Sequence, residues 1–282
     1  MKKNILNPAL YILSAMFASG LLMTGCDDKA ELPSFIRIDT IMVDSTDYDS
    51  VGSVLHKVEY AWVYLDDNLQ GVYQLPALFP VIGEGTKNIR VFGGVKESGF
   101  SSQASRYIFY DSWLSTISLT VGDTAAVSPH IRYGHLLIPY MEDFDNNTSI
   151  SVDRESGGGN FAYTFDGDAK EGPGYGMMTL TEGATDLVCT TSVVNTPKNE
   201  LGYFVEMDYK NNCDFFVGIK TPEGNETILG ILPKADWNKI YINITNNVDQ
   251  LPGTDLQLYF IVPQDTTIPY QEVKIDNLKL LF

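Results

Sequence analysis

The sequence predicts an all-β protein built in two halves behind an apolar leader. Three observations carry this. Apolar and polar residues alternate with period two over many short segments, as in half-buried strands. Turn residues separate these segments every ~8–12 residues, a spacing typical of sandwiches. No stretch sustains a 3.6-residue apolar period. The chain has 282 residues, enough for two domains of ordinary size. Its hydrophobic content of 44% and aromatic content of 12% exclude a disordered chain.

The first element is the leader. Lys2 and Lys3 form a short basic region, and no charge follows from Asn4 to Gly25. The apolar run ends in Leu22-Met23-Thr24-Gly25-Cys26. A basic start, an apolar middle and a small-residue ending mark a secretory signal peptide. The run approaches the ~20 residues that span a bilayer, but Pro8 and Gly20 weaken it as a spanning helix. The small-small-Cys ending resembles the lipobox of bacterial lipoproteins. That resemblance implies a signal peptide over 1–25, cleavage before Cys26, and lipid on Cys26 as the membrane contact. Asp27-Asp28-Lys29-Ala30-Glu31 is similar to the surface-export signal of Bacteroidota lipoproteins. It implies a lipid-anchored protein on the outer face of the outer membrane. Residues 26–34 form the tether.

The first half, 35–139, opens with Phe35-Ile36-Arg37-Ile38. Lys57 to Leu65 alternates most clearly: Val58, Tyr60, Trp62 and Tyr64 share one face, and Ala61, Val63 and Leu65 share the other. Asp66-Asp67-Asn68 supplies a turn, since Asp and Asn tolerate turn dihedrals. Further short strands follow at 71–73, 79–82, 88–92, 107–110 and 116–121. The segment Tyr64 to Pro76, with the later Gly85-Thr86-Lys87-Asn88-Ile89-Arg90-Val91, resembles transthyretin-like or PEGA-type small β-sandwiches. That family implies a spacer or docking module with no chemistry of its own. Pro129 to Pro139 reads as the junction. His130, His135 and His56 signal no metal site, because no third ligand accompanies them.

The second half, 140–282, carries eight or nine strands, which fits a jelly roll. Glu142-Asp143-Phe144-Asp145, Val205 to Lys210, Trp237 to Ile242 and Ile275-Asp276-Asn277-Leu278 resemble the galactose-binding-like jelly rolls of carbohydrate-binding modules. The fold class is therefore a small Ig/transthyretin-like sandwich followed by a jelly roll. The resemblance implies one structural calcium ion, a hard cation seeking six to eight oxygens. Asp143, Asp145 and Asp276 are its implied ligands, with Glu142 in reserve. It also implies sugar contacts by aromatic rings, which stack on the apolar faces of pyranoses. Tyr163, Tyr175 and Tyr209 are the ligand-binding candidates; Trp237 reads as structural.

Cys189 and Cys213 sit on or beside predicted strands, in a compartment where disulfides persist. A bridge between them and two separate buried thiols both fit the sequence. The formal charge of −17 excludes nucleic acid as a partner, whose phosphates need cations. Glu206-Met207-Asp208 is similar to the Glu-x-Asp-x-x-Glu strand of laminarinase-type glycosidases, but Asn211 stands where the final acid belongs. Gly157-Gly158-Gly159 lacks the Lys and helix of a phosphate loop. The sequence thus predicts a non-catalytic module, for glycan in the first reading. The alternative is an accessory subunit of an outer-membrane uptake, secretion or protein-insertion complex.

Overall fold

The computed structural model describes residues 31–44, 51–134 and 137–282. The leader, Cys26 and His135 lie outside the described residues. The protein is all-β, with one short helix, Thr245–Gln250, among those residues. None of their helices is long and apolar enough to cross a membrane.

In the first half, Ser34–Ile38 pairs antiparallel with Ala77–Val81 and parallel with Thr124–Val127. Facing this sheet is a five-stranded one. Asn68–Gln74 and Tyr60–Leu65 form a hairpin, and Gly85–Lys96 pairs with Tyr60–Leu65. Trp113–Leu119 and Ala104–Arg106 share the far edge of Gly85–Lys96. The hairpin turns on Asp66 and Asp67, at φ 46° and 63°. Two-residue hairpins favour positive φ at both positions, which Asp tolerates better than bulky residues. Ile36, Ile38, Phe79 and Val81 pack against Ala61, Val63, Ile89, Val91 and Leu119 in one apolar core.

The second half is a sandwich of two antiparallel sheets. One runs Asn160–Thr164, Tyr175–Thr181, Tyr270–Leu281, Phe204–Asn211, Lys234–Asn243. The opening strand Tyr140–Glu142 pairs with the closing strand at Leu278–Leu280. The second sheet runs Ser151–Val152, Asp186–Thr190, Asp255–Pro263, Phe215–Thr221, Gly224–Ile231. Val205, Met207, Ile242, Val273 and Ile275 face Leu187, Phe215, Val217, Leu258 and Phe260 between them. Each such large apolar side chain contributes roughly 1.5–3 kcal/mol on burial.

Much of the outer face of the first of these sheets is covered by the N-terminal half. Phe204, Tyr241 and Leu281 belong to the core of the N-terminal half. Tyr107 packs edge-on to both Phe204 and Tyr241, at 5.3 and 4.9 Å between centroids. Between these rings lies Glu206, fully buried. Its carboxylate accepts hydrogen bonds from the Tyr107 hydroxyl at 2.6 Å and the Tyr133 hydroxyl at 2.8 Å. Lys239 Nζ sits 3.5 Å from Glu206 and 3.6 Å from Asp208. Lys279 Nζ donates to the Ser53 carbonyl at 2.7 Å. Burial alone would raise the Glu206 carboxyl; Lys239, Lys279 and the two tyrosines outweigh it and hold its pKa below the ordinary value.

This pocket of charge makes a direct prediction. Glu206→Ala leaves buried Lys279 without its main counter-charge, Lys239 with Asp208 alone, and two hydroxyls without an acceptor. Breaking a buried pair from one side costs about 3–5 kcal/mol. The urea midpoint is expected to fall accordingly, whereas an exposed change such as Arg37→Ala should leave it nearly unmoved.

Candidate functional site

The far end of the same sheet face is closed by the loop over 165–174. Asp168 binds Lys274 at 2.7 Å and Lys210 at 2.9 Å, and its carbonyl accepts the Trp237 indole N–H at 2.9 Å. The backbone N–H groups of Lys170 and Glu171 donate to Asp276 Oδ2. The N-terminal half covers one end of the face and this loop the other, leaving between the halves a small gap of about 240 Å³ lined by Lys57, Glu59, Lys96, Lys239 and Tyr241. Glu206 and Asp208 share that face side by side, but Glu206 is engaged by tyrosines and Asp208 by Asn277 and Lys239.

Two of the three predicted ligand-binding tyrosines are enclosed. Tyr209 is buried, edge-on to Phe215, with its hydroxyl accepting from Asn238 Nδ2 at 2.7 Å. Tyr175 is buried edge-on to Trp237, under the Lys274 ammonium, and donates to Asp166. Neither ring can stack on a ligand. Tyr209 sits where strand alternation places a residue inside, whereas Tyr175 shares the outer face with Met177 and is covered by the loop over 165–174; alternation does not say which face is covered. Trp237 is structural, as expected, half-buried against Tyr175.

Tyr163 differs. It lies on the edge strand Asn160–Thr164, is 43% exposed, and meets Phe165, 53% exposed, edge-to-face at 5.5 Å. Phe161, two residues earlier, packs on the core. The strand runs off the end of the sandwich, so its last two rings emerge. The same alternation that exposes Tyr163 could have pointed to Phe165.

Asp145 stands beside this pair. Its Oδ1 accepts the Gly174 N–H at 3.3 Å, and a Cβ at Gly172 would lie 2.3 Å from that oxygen. A Cβ at Gly174 would lie 2.9 Å from the Phe165 ring. Both glycines are thus needed for the carboxylate and the ring to lie on one backbone segment. Asp143 is exposed and accepts the Asp145 N–H. Between them Phe144 is fully buried at φ 58°. That dihedral is uncommon for a bulky residue and is held here because the ring fills the core. It leaves Asp143 and Asp145 outside the core.

The predicted calcium ligands are not gathered. Asp276 is buried, and its carboxylate accepts three backbone N–H bonds, from Lys170, Glu171 and Asn277. Among the described residues no group of three or more His, Cys, Asp or Glu is placed to hold a metal ion. Asp143, Asp145 and Asp276 as arranged do not fit calcium. Glu142 is engaged instead by Ser149 and Tyr140.

Cys189 and Cys213 are free and buried, so the expected alternative of a bridge gives way to two separate thiols. Burial pushes the Cys189 thiol up to about 12 and raises that of Cys213 as well. Both act as small core hydrophobes.

No family model and no curated protein matches the sequence. Solved structures show weak likeness. Carbohydrate-binding modules of the β-sandwich superfamily are 14% identical at TM-score 0.38, covering 78% of this chain and 84% of that one. The family 11 carbohydrate-binding module of Clostridium thermocellum, in complex with a mixed-linked β-1,3-1,4 tetrasaccharide, is 16% identical at TM-score 0.36, covering 51% and 94%. The enzymatically active domain of bacteriophage CBA120 tailspike protein 4 is 13% identical at TM-score 0.39, covering 49% of this chain and 20% of its own. At TM-scores this low the likenesses carry no weight for function.

Asp276 sets a pH dependence. Burial raises its carboxyl to about 7, with Asp208 adding repulsion, against the pull of the three N–H donors. A carboxyl that holds its proton more tightly folded than unfolded stabilises the fold at low pH. That contribution is present in full below about pH 4 and is lost as pH rises through about 7. Asp276→Asn should flatten the slope of urea stability between pH 5 and 8. An unchanged slope would show that Asp276 is already ionised at pH 5.

Proposed function

We propose that this chain is a non-catalytic glycan-binding protein, tethered to the outer membrane by lipid on Cys26 and facing outward. The observation that carries the binding reading is the exposed Tyr163–Phe165 pair beside Asp145. A sugar ring has apolar C–H faces and equatorial hydroxyls. Aromatic side chains cover the first, and carboxylate oxygens accept from the second. Tyr163 and Phe165 supply two rings at right angles, and Asp145 and Asp143 supply acceptors on the adjoining loop. The glycine-supported segment 172–174 keeps ring and carboxylate in register.

The burial of Glu206 and Asp208 under side chains of the same protein supports binding over hydrolysis. A glycosidase needs both carboxylates open to the scissile bond. Here they face tyrosines and lysines of the same protein.

The decisive experiment is retardation on polysaccharide affinity gels. Tyr163→Ala and Phe165→Ala should each weaken binding about tenfold, equivalent to about 1.4 kcal/mol. Asp145→Ala should do the same, with the fold retained by circular dichroism. Binding that ignores all three changes would remove this site. For the anchor, Cys26→Ala should move the protein from the membrane fraction to the soluble one; continued membrane retention would count against lipidation.

A further inference from the structure

The strand Tyr60–Leu65 is inverted relative to a usual sandwich strand. Its small aliphatic residues Ala61, Val63 and Leu65 point inward and are buried. Its aromatic residues Tyr60, Trp62 and Tyr64 point away from the core and stay half-exposed. The neighbouring strand places Phe92 opposite Trp62 and Arg90 opposite Tyr64. Val72, 43% exposed, and Leu114, 61% exposed, flank them. Burying the large rings and exposing the small side chains would yield more apolar burial, so packing alone does not favour this orientation.

Two features give the face a chemistry. The Trp62 indole lies against Gly94, where a Cβ would come within 2.0 Å of the ring. The absence of a side chain at Gly94 makes room for the indole on this face. Arg106 is exposed, with its guanidinium 4.3 Å from the Phe92 centroid. Among the described residues no acid pairs with it. Arg90 reaches Asp67 at 3.2 Å by one nitrogen, while its Nε has no partner. On a chain of formal charge −17, this face holds Arg90, Arg106 and Lys96 against Asp67 and Glu59.

We propose that this outer face of the N-terminal five-stranded sheet is a second binding surface, for a polysaccharide bearing carboxylates. Trp62 and its neighbouring rings stack the sugar faces, and Arg106 pairs a uronic-type carboxylate. A protein partner calls for a continuous apolar centre, with charge at the rim. Here guanidinium groups stand among the rings, the mixture that an acidic sugar chain needs. A guanidinium matches a carboxylate in a bidentate fork, and aromatic support holds it in plane. The surface extends the glycan reading but lies on the other domain from Tyr163, so each can fail alone.

The test uses the full chain on gels containing polygalacturonate, with uncharged galactan as the comparison. Retardation by polygalacturonate is expected, falling as salt is raised, because an ion pair is screened. Trp62→Ala and Arg106→Gln should each weaken it at least tenfold, and Tyr163→Ala should leave most of it in place. Arg106 is exposed, so its variant keeps the test valid if Trp62→Ala unfolds. The proposal is overturned if polygalacturonate does not retard the protein. It is also overturned if Arg106→Gln binds as tightly as the unaltered chain. Loss of all retardation in Tyr163→Ala alone also overturns it while leaving the C-terminal site standing. Capture of a membrane protein by this face, with no polysaccharide bound, overturns it as well.

Discussion

The buried Glu206 carboxylate is the contact on which the arrangement of the two halves depends. A charge taken out of water is strongly disfavoured unless it is paired and hydrogen-bonded. Glu206 comes from the C-terminal sheet, yet both hydroxyls that it accepts, Tyr107 and Tyr133, come from the N-terminal half. Lys239 comes from its own sheet, while Lys279 reaches across to the Ser53 carbonyl. Separating the halves would strip partners from both sides at once. The two halves are therefore joined through this shared buried contact.

That closure decides which surfaces remain for a ligand. In a two-sheet sandwich each outer face is a candidate platform. Here one is sealed at one end by Tyr107, Tyr110 and Tyr133 and at the other by Asp168 and its loop. Besides the small gap beside Lys239, that sheet leaves open its edge, where Tyr163 and Phe165 emerge. The N-terminal half keeps its own outward face, the one that carries Trp62.

Much of the fold was legible from alternation and turns. The Asp66-Asp67 turn and the strand pairs around it follow from local chemistry. Which face of each strand is covered was not legible, because period two is symmetric between faces. Tyr60, Trp62 and Tyr64 share one face in the sequence, and nothing in the alternation says that this face turns outward. Glu206, Asp208 and Lys239 are buried, which their charge in the sequence does not announce. Their charges are complementary, but which ones meet depends on cross-strand register and on a partner domain. The same ambiguity misplaced Tyr175 and Tyr209 and spared Tyr163, whose strand runs beyond the sandwich. The calcium reading failed for a related reason: Asp276 shares a strand neighbourhood with Asp143 and Asp145 but points to the sealed face.

Hydrogen exchange in the presence and absence of a bound polysaccharide fragment tests the central claim, that the domain junction is sealed and ligands meet only the surfaces it leaves open. The amides of Phe204–Asn211 should be strongly protected in the free protein and unchanged on binding, while those of 160–165 and 172–175 slow. Fast exchange of Phe204–Asn211 in the free protein, slowed by ligand, would contradict the account by showing that the halves part to admit it.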